Sequence, residues 1–190
     1  VAAAVVEAGV PSVVLFTSRF RPDVRRLLAE APDAAHAQLL NLNGAFLSGP
    51  FAASPWRQED GALLDWGPHA VDLLMTALGP VVDCHAEEHD GVVAATLRHD
   101  GGGVSQALFG SRWSGEPVSR LDLMTPGGLR SADWTGRDPA GYEQVFRTLR
   151  EEFVEAVRTG VPHACDARHG AEVQRVVDRL RASAGRLSPG

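Results

Sequence analysis

The chain has 190 residues, of which 44% are hydrophobic and 22% are charged. These values are ordinary for a globular domain, so they exclude a disordered chain and a fibre, and no apolar run approaches the ~20 residues that span a bilayer. The net charge of −6 comes without a basic stripe, which argues against binding to nucleic acid or to an anionic membrane surface.

The cysteine and lysine content of the chain limits its expected location and its possible catalytic residues. The two cysteines, Cys84 and Cys165, are too few for a disulfide framework, so we expect a reducing, cytoplasmic location. All 18 basic residues are arginine, and the chain therefore offers no lysine as a catalytic residue.

The first residues predict a helix followed by a strand. Ala2–Ala8 is amphipathic and ends at Gly9, which suits the left-handed position after a helix. Ser12–Thr17 is apolar and β-branched, as in a fully buried strand. A helix followed at once by a buried strand is one part of an α/β unit. We therefore expect the chain to be the C-terminal part of a larger protein.

The remaining periodicity predicts an α+β fold. Turn residues separate several short strands, and helix stop signals end the longer segments. The pattern favours a mostly antiparallel, open-faced sheet with helices packed on one face, and an open face that invites a partner. The predicted helices are Phe20–Ala31, Gly61–Leu78, Tyr142–Thr159 and Ala167–Ala184; the predicted strands are Ala35–Phe46, Val81–Glu87, Val92–His99, Val104–Trp113, Ser119–Thr125 and Leu129–Trp134; Ser48–Asp60 is predicted to be a loop.

A titratable stripe marks the helix predicted over Gly61–Leu78. Asp65 and His69 are four residues apart, and Asp72 follows three residues later, so one helix face can carry all three. A carboxylate one turn away can raise the pKa of a histidine and orient its ring, as a proton shuttle requires. The alternative is a solvated helix face without chemistry.

The Gly67-Pro68 pair favours the functional interpretation. Proline is well tolerated only in the first turn of a helix. Either the helix begins near Gly67, which puts Asp65 and His69 at its N-terminal end, or a longer helix tolerates a local destabilisation.

The sequence resembles the Gfo/Idh/MocA oxidoreductases at several points in the family's order. Gly61-x-x-x-Asp65-x-Gly67-x-His69-x-x-Asp72, preceded by Trp56-Arg57, resembles the family's core motif. The further similar segments are Glu7–Pro11, Val13–Phe16 and Arg19-Phe20 at the family's domain junction, Met124–Leu129 at its late hairpin, and Phe153–Pro162 at its closing helical segment.

The resemblance implies both an architecture and a reaction. Residues 1–18 would be the end of a dinucleotide-binding domain and the junction, and residues 19–190 the substrate-binding and oligomerisation domain. The enzyme would transfer hydride between NAD or NADP and a sugar, cyclitol or related polyol, and it would form a homodimer or homotetramer through the open sheet face. His69 would be the catalytic acid/base, and Asp65 would orient it or hold the substrate. Trp56 and Arg57 would lie against cofactor or substrate, and Asp72 would be structural.

The sequence departs from the family at two points. Gly101–Gly103 follows a strand but opens no helix, so it is a turn and not a dinucleotide fingerprint. The family's catalytic lysine has no counterpart in a chain without lysine. We therefore expect the cofactor to be bound mainly by a missing N-terminal domain, and the isolated chain to be inactive. The competing hypothesis is a non-catalytic binding or scaffolding domain of the same fold.

Other candidate sites are weaker. Cys84, His85 and His89, and likewise His163, Cys165 and His169, lack the compact four-ligand spacing of structural zinc, so we predict no metal site. Trp113 and Trp134 are predicted in strands, as core or sheet-face residues. They are not expected to be stacking platforms for bases, because the chain is acidic.

Overall fold

Alternating apolar residues build a six-stranded sheet in the computed structural model, which describes residues 1–48, 50–136 and 139–184. Its order is β2-β3-β4-β1-β5-β6. β1 runs parallel to β4 and antiparallel to β5, and every other neighbouring pair is antiparallel. The strands are β1 His36–Leu42, β2 Val81–His89, β3 Val92–His99, β4 Val104–Gly110, β5 Val118–Thr125 and β6 Gly128–Asp133.

In the described residues, helices cover only one face of this sheet. In β3 the side chains of Val93, Ala95 and Leu97 are buried, whereas those of Ala94 and Thr96 between them are exposed. The helices pack on the buried side and leave the other side open. The α+β class, the mostly antiparallel sheet and the single helical layer are thus confirmed.

Six α-helices and one 3-10 helix surround the covered face in the described residues. They are α1 Ala2–Ala8, the 3-10 helix Thr17–Phe20, α2 Pro22–Glu30, α3 Pro55–Asp65, α4 Gly67–Leu78, α5 Pro139–Thr159 and α6 Ala167–Ala184. α1 ends at Gly9 as predicted, with φ of 63° at that residue. Among the described residues, no helix is both long and apolar enough to cross a membrane.

The strand predicted over Ser12–Thr17 is wrong. The segment has no regular secondary structure up to Phe16, the described chain places no neighbouring strand beside it, and the 3-10 helix begins at Thr17. Its backbone binds the loop before α6 instead, where the Val14 N–H donates to the Cys165 carbonyl at 2.7 Å. Apolar, β-branched sequence specifies an extended chain, whereas a strand also needs a partner for its backbone.

Several predicted boundaries also move. The helix predicted from Phe20 begins at Pro22, and the strand predicted to reach Phe46 ends at Leu42. The predicted loop Ser48–Asp60 is wrong from Pro55 onward, where α3 begins. The strand predicted through Trp113 ends at Gly110. Beyond the parallel β1–β4 ladder, the segments that follow the two strands are joined by isolated backbone hydrogen bonds. One of these runs from the Trp113 N–H to the Asn43 carbonyl at 2.9 Å.

Candidate active site

A break between two helices positions the sequence-predicted residues. The single helix predicted over Gly61–Leu78 is wrong: α3 ends at Asp65, Trp66 links the two, and α4 begins at Gly67 with Pro68 in its first turn. Of the two alternatives for the Gly67-Pro68 pair, the structure has the helix start at Gly67. Asp65 therefore stands at the end of one helix and His69 in the first turn of the next.

Two glycines make this corner feasible. Gly61 has φ of 70° and ψ of −169° inside α3, a backbone conformation that residues with a Cβ rarely adopt. Gly67 is buried, and a Cβ there would approach Leu63 to 3.3 Å. The close packing of α4 against α3 thus depends on small residues at the start of α4.

Arg57 and Asp65 form an ion pair across the kink in α3. The Arg57 Nε–H donates to a carboxylate oxygen of Asp65 at 3.0 Å, and both side chains are about four fifths buried. The guanidinium also lies over the Trp56 ring at 4.3 Å and over the Phe51 ring at 4.6 Å. The structure therefore brings Trp56, Arg57 and Asp65 together, with the Asp65 carboxylate bound to Arg57.

His69 lies among aromatic rings. Its ring is edge-on to Phe16 at 5.9 Å between centroids, and the Trp66 ring lies at 5.4 Å. Burial lowers the pKa of His69 below its usual range, and the charges of Asp72 and Asp65 oppose this only in part. The expected net increase from a neighbouring carboxylate is thus not found, because desolvation outweighs it. A lowered pKa favours the neutral imidazole of His69 at pH 7.

Asp72 is the most enclosed charged group near His69. It is fully buried, and its Oδ1 atom accepts from Arg19 Nη1 at 2.5 Å and contacts His169 Nε2 at 2.6 Å. The three residues come from the 3-10 helix, α4 and α6, which this network joins. Sequence reasoning missed the network, although it noted Arg19 and Asp72 within separate motifs.

The same network accounts for a group of metal-ligand side chains. Ligand atoms of Asp72, Cys165 and His169 lie within 4.8 Å of one another. Arg19 Nη1 contacts two of them, at 2.5 Å from Asp72 Oδ1 and 3.2 Å from His169 Nε2. Burial also raises the pKa of the Cys165 thiol to about 12, which disfavours the thiolate that binds metals. The guanidinium therefore supplies the positive charge that a metal ion would bring.

A cavity of about 460 Å³ opens beside the first turn of α4. Phe16 and Pro68 line it on the side of His69, and Val14, Gly170 and Ala171 line it elsewhere. A small polyol fits in a space of this size. Neither His69 nor Asp65 is among the residues that line this cavity, and neither are Trp56 and Arg57.

The described residues do not fit a dinucleotide. A pyrophosphate is normally held by a glycine-rich turn that leads from a strand into a helix. Gly101–Gly103 instead connects the antiparallel strands β3 and β4, and the parallel strands β1 and β4 are not joined by such a turn-and-helix unit. In the part of the chain described, then, nothing offers a dinucleotide cradle.

Comparison with solved structures shows the fold of sugar and cyclitol dehydrogenases. A myo-inositol dehydrogenase from Corynebacterium glutamicum is similar with a TM-score of 0.74 at 18% identity, over 92% of this chain and 64% of that one. GenD2 from gentamicin A biosynthesis, solved in complex with NAD, is similar with a TM-score of 0.80 at 17% identity, over 97% and 64%. The UDP-N-acetylglucosamine 3-dehydrogenase GnnA from Acidithiobacillus ferrooxidans is similar with a TM-score of 0.70 at 16% identity, over 96% and 64%.

These similarities concern the fold. The chain spans about 64% of the length of each of these three structures. No family model matches the sequence, and no curated protein matches it.

Proposed function

We propose that the chain is the C-terminal, substrate-binding domain of a Gfo/Idh/MocA-type oxidoreductase that moves hydride between NAD or NADP and a sugar, cyclitol or related polyol. In this proposal residues 1–18 are the end of a dinucleotide-binding domain and the junction, and residues 19–190 are the substrate-binding and oligomerisation domain. One observation carries the proposal: a neutral His69, half enclosed by Phe16 and Trp66, stands in the first turn of α4 next to the Arg57–Asp65 ion pair.

His69 is the acid/base of this proposal. When a carbinol is oxidised, its hydroxyl proton passes to the imidazole, and the C–H hydrogen leaves with its electron pair. A nicotinamide held outside the described residues would supply the acceptor for that hydride. Because burial lowers the pKa of His69, the ring is unprotonated at neutral pH and is ready to take the proton. In the reverse direction the imidazolium returns it.

Asp65 and its neighbours support the reacting group. Arg57 holds the Asp65 carboxylate in place, and the charge of Asp65 favours the imidazolium formed after proton transfer. The second carboxylate oxygen of Asp65 can accept from a substrate hydroxyl. Trp56 is 44% exposed beside Arg57, so its ring is available to cofactor or substrate, whereas the Arg57 guanidinium is already paired.

The kinetic consequence of removing His69 tests this role. In the full-length enzyme, His69→Ala should lower kcat by roughly 10²–10⁴-fold, the usual scale for losing an acid/base group. His85→Ala is the matched control, because His85 is an exposed histidine on β2 at the open edge of the sheet. An unchanged kcat in the His69→Ala enzyme would remove His69 from the mechanism. A full-length protein inactive on every polyol would favour the non-catalytic binding domain.

The open sheet face supports the proposed homodimer or homotetramer. Leu40 and Leu108 are paired in register on this face, where both are only partly buried, and Val92 and Ala94 extend the apolar area along β3. A second copy that packs face to face about a two-fold axis would cover this area. Such an interface should bury well above ~1,000 Å².

A single charge at the centre of the face tests the assembly. Leu108→Arg should convert the oligomer to a monomer in sedimentation at tens of micromolar, because a guanidinium would be buried without a partner. Gln174→Arg places the same charge on the exposed side of α6 and should leave the assembly unchanged. A wild-type chain that sediments as a 20.2 kDa monomer would refute the homo-oligomer.

A further inference from the structure

A cavity of about 510 Å³ lies on the helical side of the molecule, apart from the residues proposed for acid/base chemistry. The 3-10 helix, α2, α4, α5 and the loop after α5 supply the residues that line it, and neither His69 nor Asp65 is among them. A cavity of this size can hold a small molecule, and apolar walls with a few polar groups are typical of a ligand site. Five of the lining side chains are charged or titratable: Arg19, Arg25, Glu152, Glu155 and His163.

The oxygen atoms of the two glutamates in this wall already have partners. Glu152 Oε1 lies 2.7 Å from Arg25 Nη2, and Glu152 Oε2 lies 3.0 Å from His163 Nε2. Burial raises the pKa of Glu152, but the hydrogen bonds from His163 and Arg25 outweigh burial and hold that pKa below its usual range. Both oxygens of Glu155 accept from Arg158, at 2.7 to 3.0 Å. Each carboxylate therefore has a guanidinium in direct contact.

Both ring nitrogens of His163 are also in use. Its Nδ1 atom accepts from the Cys165 N–H at 2.9 Å, so the proton of the neutral ring is on Nε2, which donates to Glu152. The ring stacks on Phe20, with 6.0 Å between the centroids. These three contacts fix the ring, and His163 forms a rigid part of the wall.

The two arginines, by contrast, keep unused donors. Arg19 contacts Asp72 and His169 through Nη1 alone, and Arg25 contacts Glu152 through Nη2. Within the described chain, the Nε and Nη2 atoms of Arg19 and the Nε and Nη1 atoms of Arg25 have no partner. Asp72 is fully buried and does not line the cavity, whereas the Arg19 side chain lines it and is 14% exposed. The unpaired atoms of the charged groups in this wall are thus nitrogens that donate.

We propose that this cavity is a binding site for a small dicarboxylate, with one carboxylate on Arg19 and the other on Arg25. The Nε–H and Nη2–H groups of Arg19 form one edge of the guanidinium fork, which can bind a carboxylate through two parallel hydrogen bonds. Arg25 can donate singly to the second carboxylate. The short hydrocarbon between the two carboxylates would lie against Leu28, Val161 and Pro162, which also line the cavity. This site goes beyond the proposed hydride transfer and does not depend on it.

The same pattern of used and unused atoms disfavours other ligands. A cation would need a carboxylate without a partner, and both glutamates are paired. A neutral polyol donates as many hydrogen bonds as it has hydroxyl groups, so it needs acceptors as well as donors. The charged groups of this wall offer donors, which suit a ligand that only accepts.

Calorimetric titration of the 190-residue chain with malonate, succinate and glutarate tests the proposal. The series varies the separation of the two carboxylates, and at least one member should bind saturably with a millimolar Kd. Malonamide, succinamide and glutaramide have the same shapes without the charges and should not bind. The binding should weaken as the ionic strength rises. No saturable binding of any dicarboxylate, or equal binding of a dicarboxylate and its diamide, would overturn the proposal.

Arg25→Ala tests whether the dicarboxylate binds in this cavity. It should weaken the binding by roughly tenfold or more, the scale of losing a hydrogen bond to a charged group. Arg26→Ala is the matched control, because Arg26 is the next residue of α2, is exposed and does not line the cavity. Both variants remove one positive charge from the chain, so a general charge effect would be the same in each. Equal affinities of the two variants would contradict the proposed site.

Glu152→Gln should change the affinity in the opposite direction. The amide oxygen can still accept from Arg25, but the negative charge is lost, so the affinity should rise by roughly two- to fivefold, the scale of one partly exposed charge pair. Both variants leave Arg19 in place, because its loss would leave the buried Asp72 carboxylate without its guanidinium. An unchanged or weaker affinity in Glu152→Gln would contradict the site.

Inorganic phosphate tests the class of anion. A dicarboxylate that spans two arginines should bind more tightly than a single phosphate group of the same charge. If phosphate binds at least as tightly as each of the three dicarboxylates, the assignment to a dicarboxylate is wrong. Tighter binding of one dicarboxylate supports the assignment, and its length gives the separation of the two guanidinium groups in the occupied cavity.

Discussion

His99 and His69 are two histidines in apolar surroundings, and they differ in how many of their ring nitrogens are hydrogen-bonded. His99 is 2% exposed, with Nδ1 2.7 Å from the Gly79 carbonyl and Nε2 2.8 Å from the Ser105 hydroxyl. A carbonyl can only accept, so Nδ1 must donate to it, and Nε2 then accepts from Ser105. His69 has an enclosed Nδ1 without a partner.

The contrast separates structural histidines from reactive ones. Both nitrogens of the His99 ring are hydrogen-bonded, so the ring links the end of β3 to the end of α4. His69 lies near the charges of Asp72 and Asp65, and its Nδ1 atom is enclosed without a hydrogen-bond partner. Incomplete hydrogen bonding in a partly buried site is therefore the feature that supports the acid/base role proposed for His69.

The largest stability difference should appear between alanine variants of these two residues. His99→Ala leaves the Gly79 carbonyl and the Ser105 hydroxyl unsatisfied in the core, which should lower the free energy of unfolding by about 3 kcal/mol. His69→Ala loses aromatic contacts but no hydrogen bond of Nδ1, and should cost about 1 kcal/mol. Urea unfolding of both variants measures the difference. Equal losses would show that His69 is a core residue like His99.

The pH dependence of stability should distinguish them next. The pKa of His69 is lowered from 6.5 by burial, so between that value and the folded-state pKa the unfolded chain binds more protons than the folded chain. The free energy of unfolding should therefore fall as the pH drops below 6.5 and should be insensitive to His69 above it. His69→Gln removes this contribution. The difference in the free energy of unfolding between wild type and His69→Gln, measured with urea at pH 5 and again at pH 8, gives its size. A constant difference would mean that the pKa of His69 is not lowered.

A smaller effect should follow from the Arg57–Asp65 pair. Both side chains keep about a fifth of their surface exposed, so Arg57→Ala should cost no more than about 1 kcal/mol of unfolding free energy. Arg57→Lys should be nearly as costly, because lysine cannot reproduce the Nε–H donation or the stacking on Trp56. Arg158→Ala, which removes a fully surface-located pair with Glu155, is the control and should be neutral. Wild-type stability in Arg57→Lys would show that charge alone matters.

Much of the fold was predictable because its signals are local. Alternation in β3 and the turn residues on either side predicted the strand Val92–His99 to the residue. The segment Ser12–Thr17 has an equally strong strand signal, but its backbone binds the loop at Cys165, some 150 residues away, which no local pattern could reveal.

The site was predictable only in part, for the same reason. Asp65, His69 and Arg57 lie within one short stretch, and a motif could bring them together. Arg19 and His169 meet Asp72 across 53 and 97 residues of sequence, so their network needed the fold to be known. Likewise, the pKa of His69 depends on burial by Phe16 and Trp66, and spacing alone predicted a shift in the opposite direction.

The central claim is that this chain supplies the substrate side of an active site whose dinucleotide cradle lies elsewhere. Calorimetric titration of the 190-residue chain with NAD⁺, NADH, NADP⁺ and NADPH tests it most directly. The account predicts no saturable binding below a Kd of about 1 mM, because no strand, glycine-rich turn and helix in the described residues can hold the pyrophosphate. Micromolar binding of any of the four would contradict it.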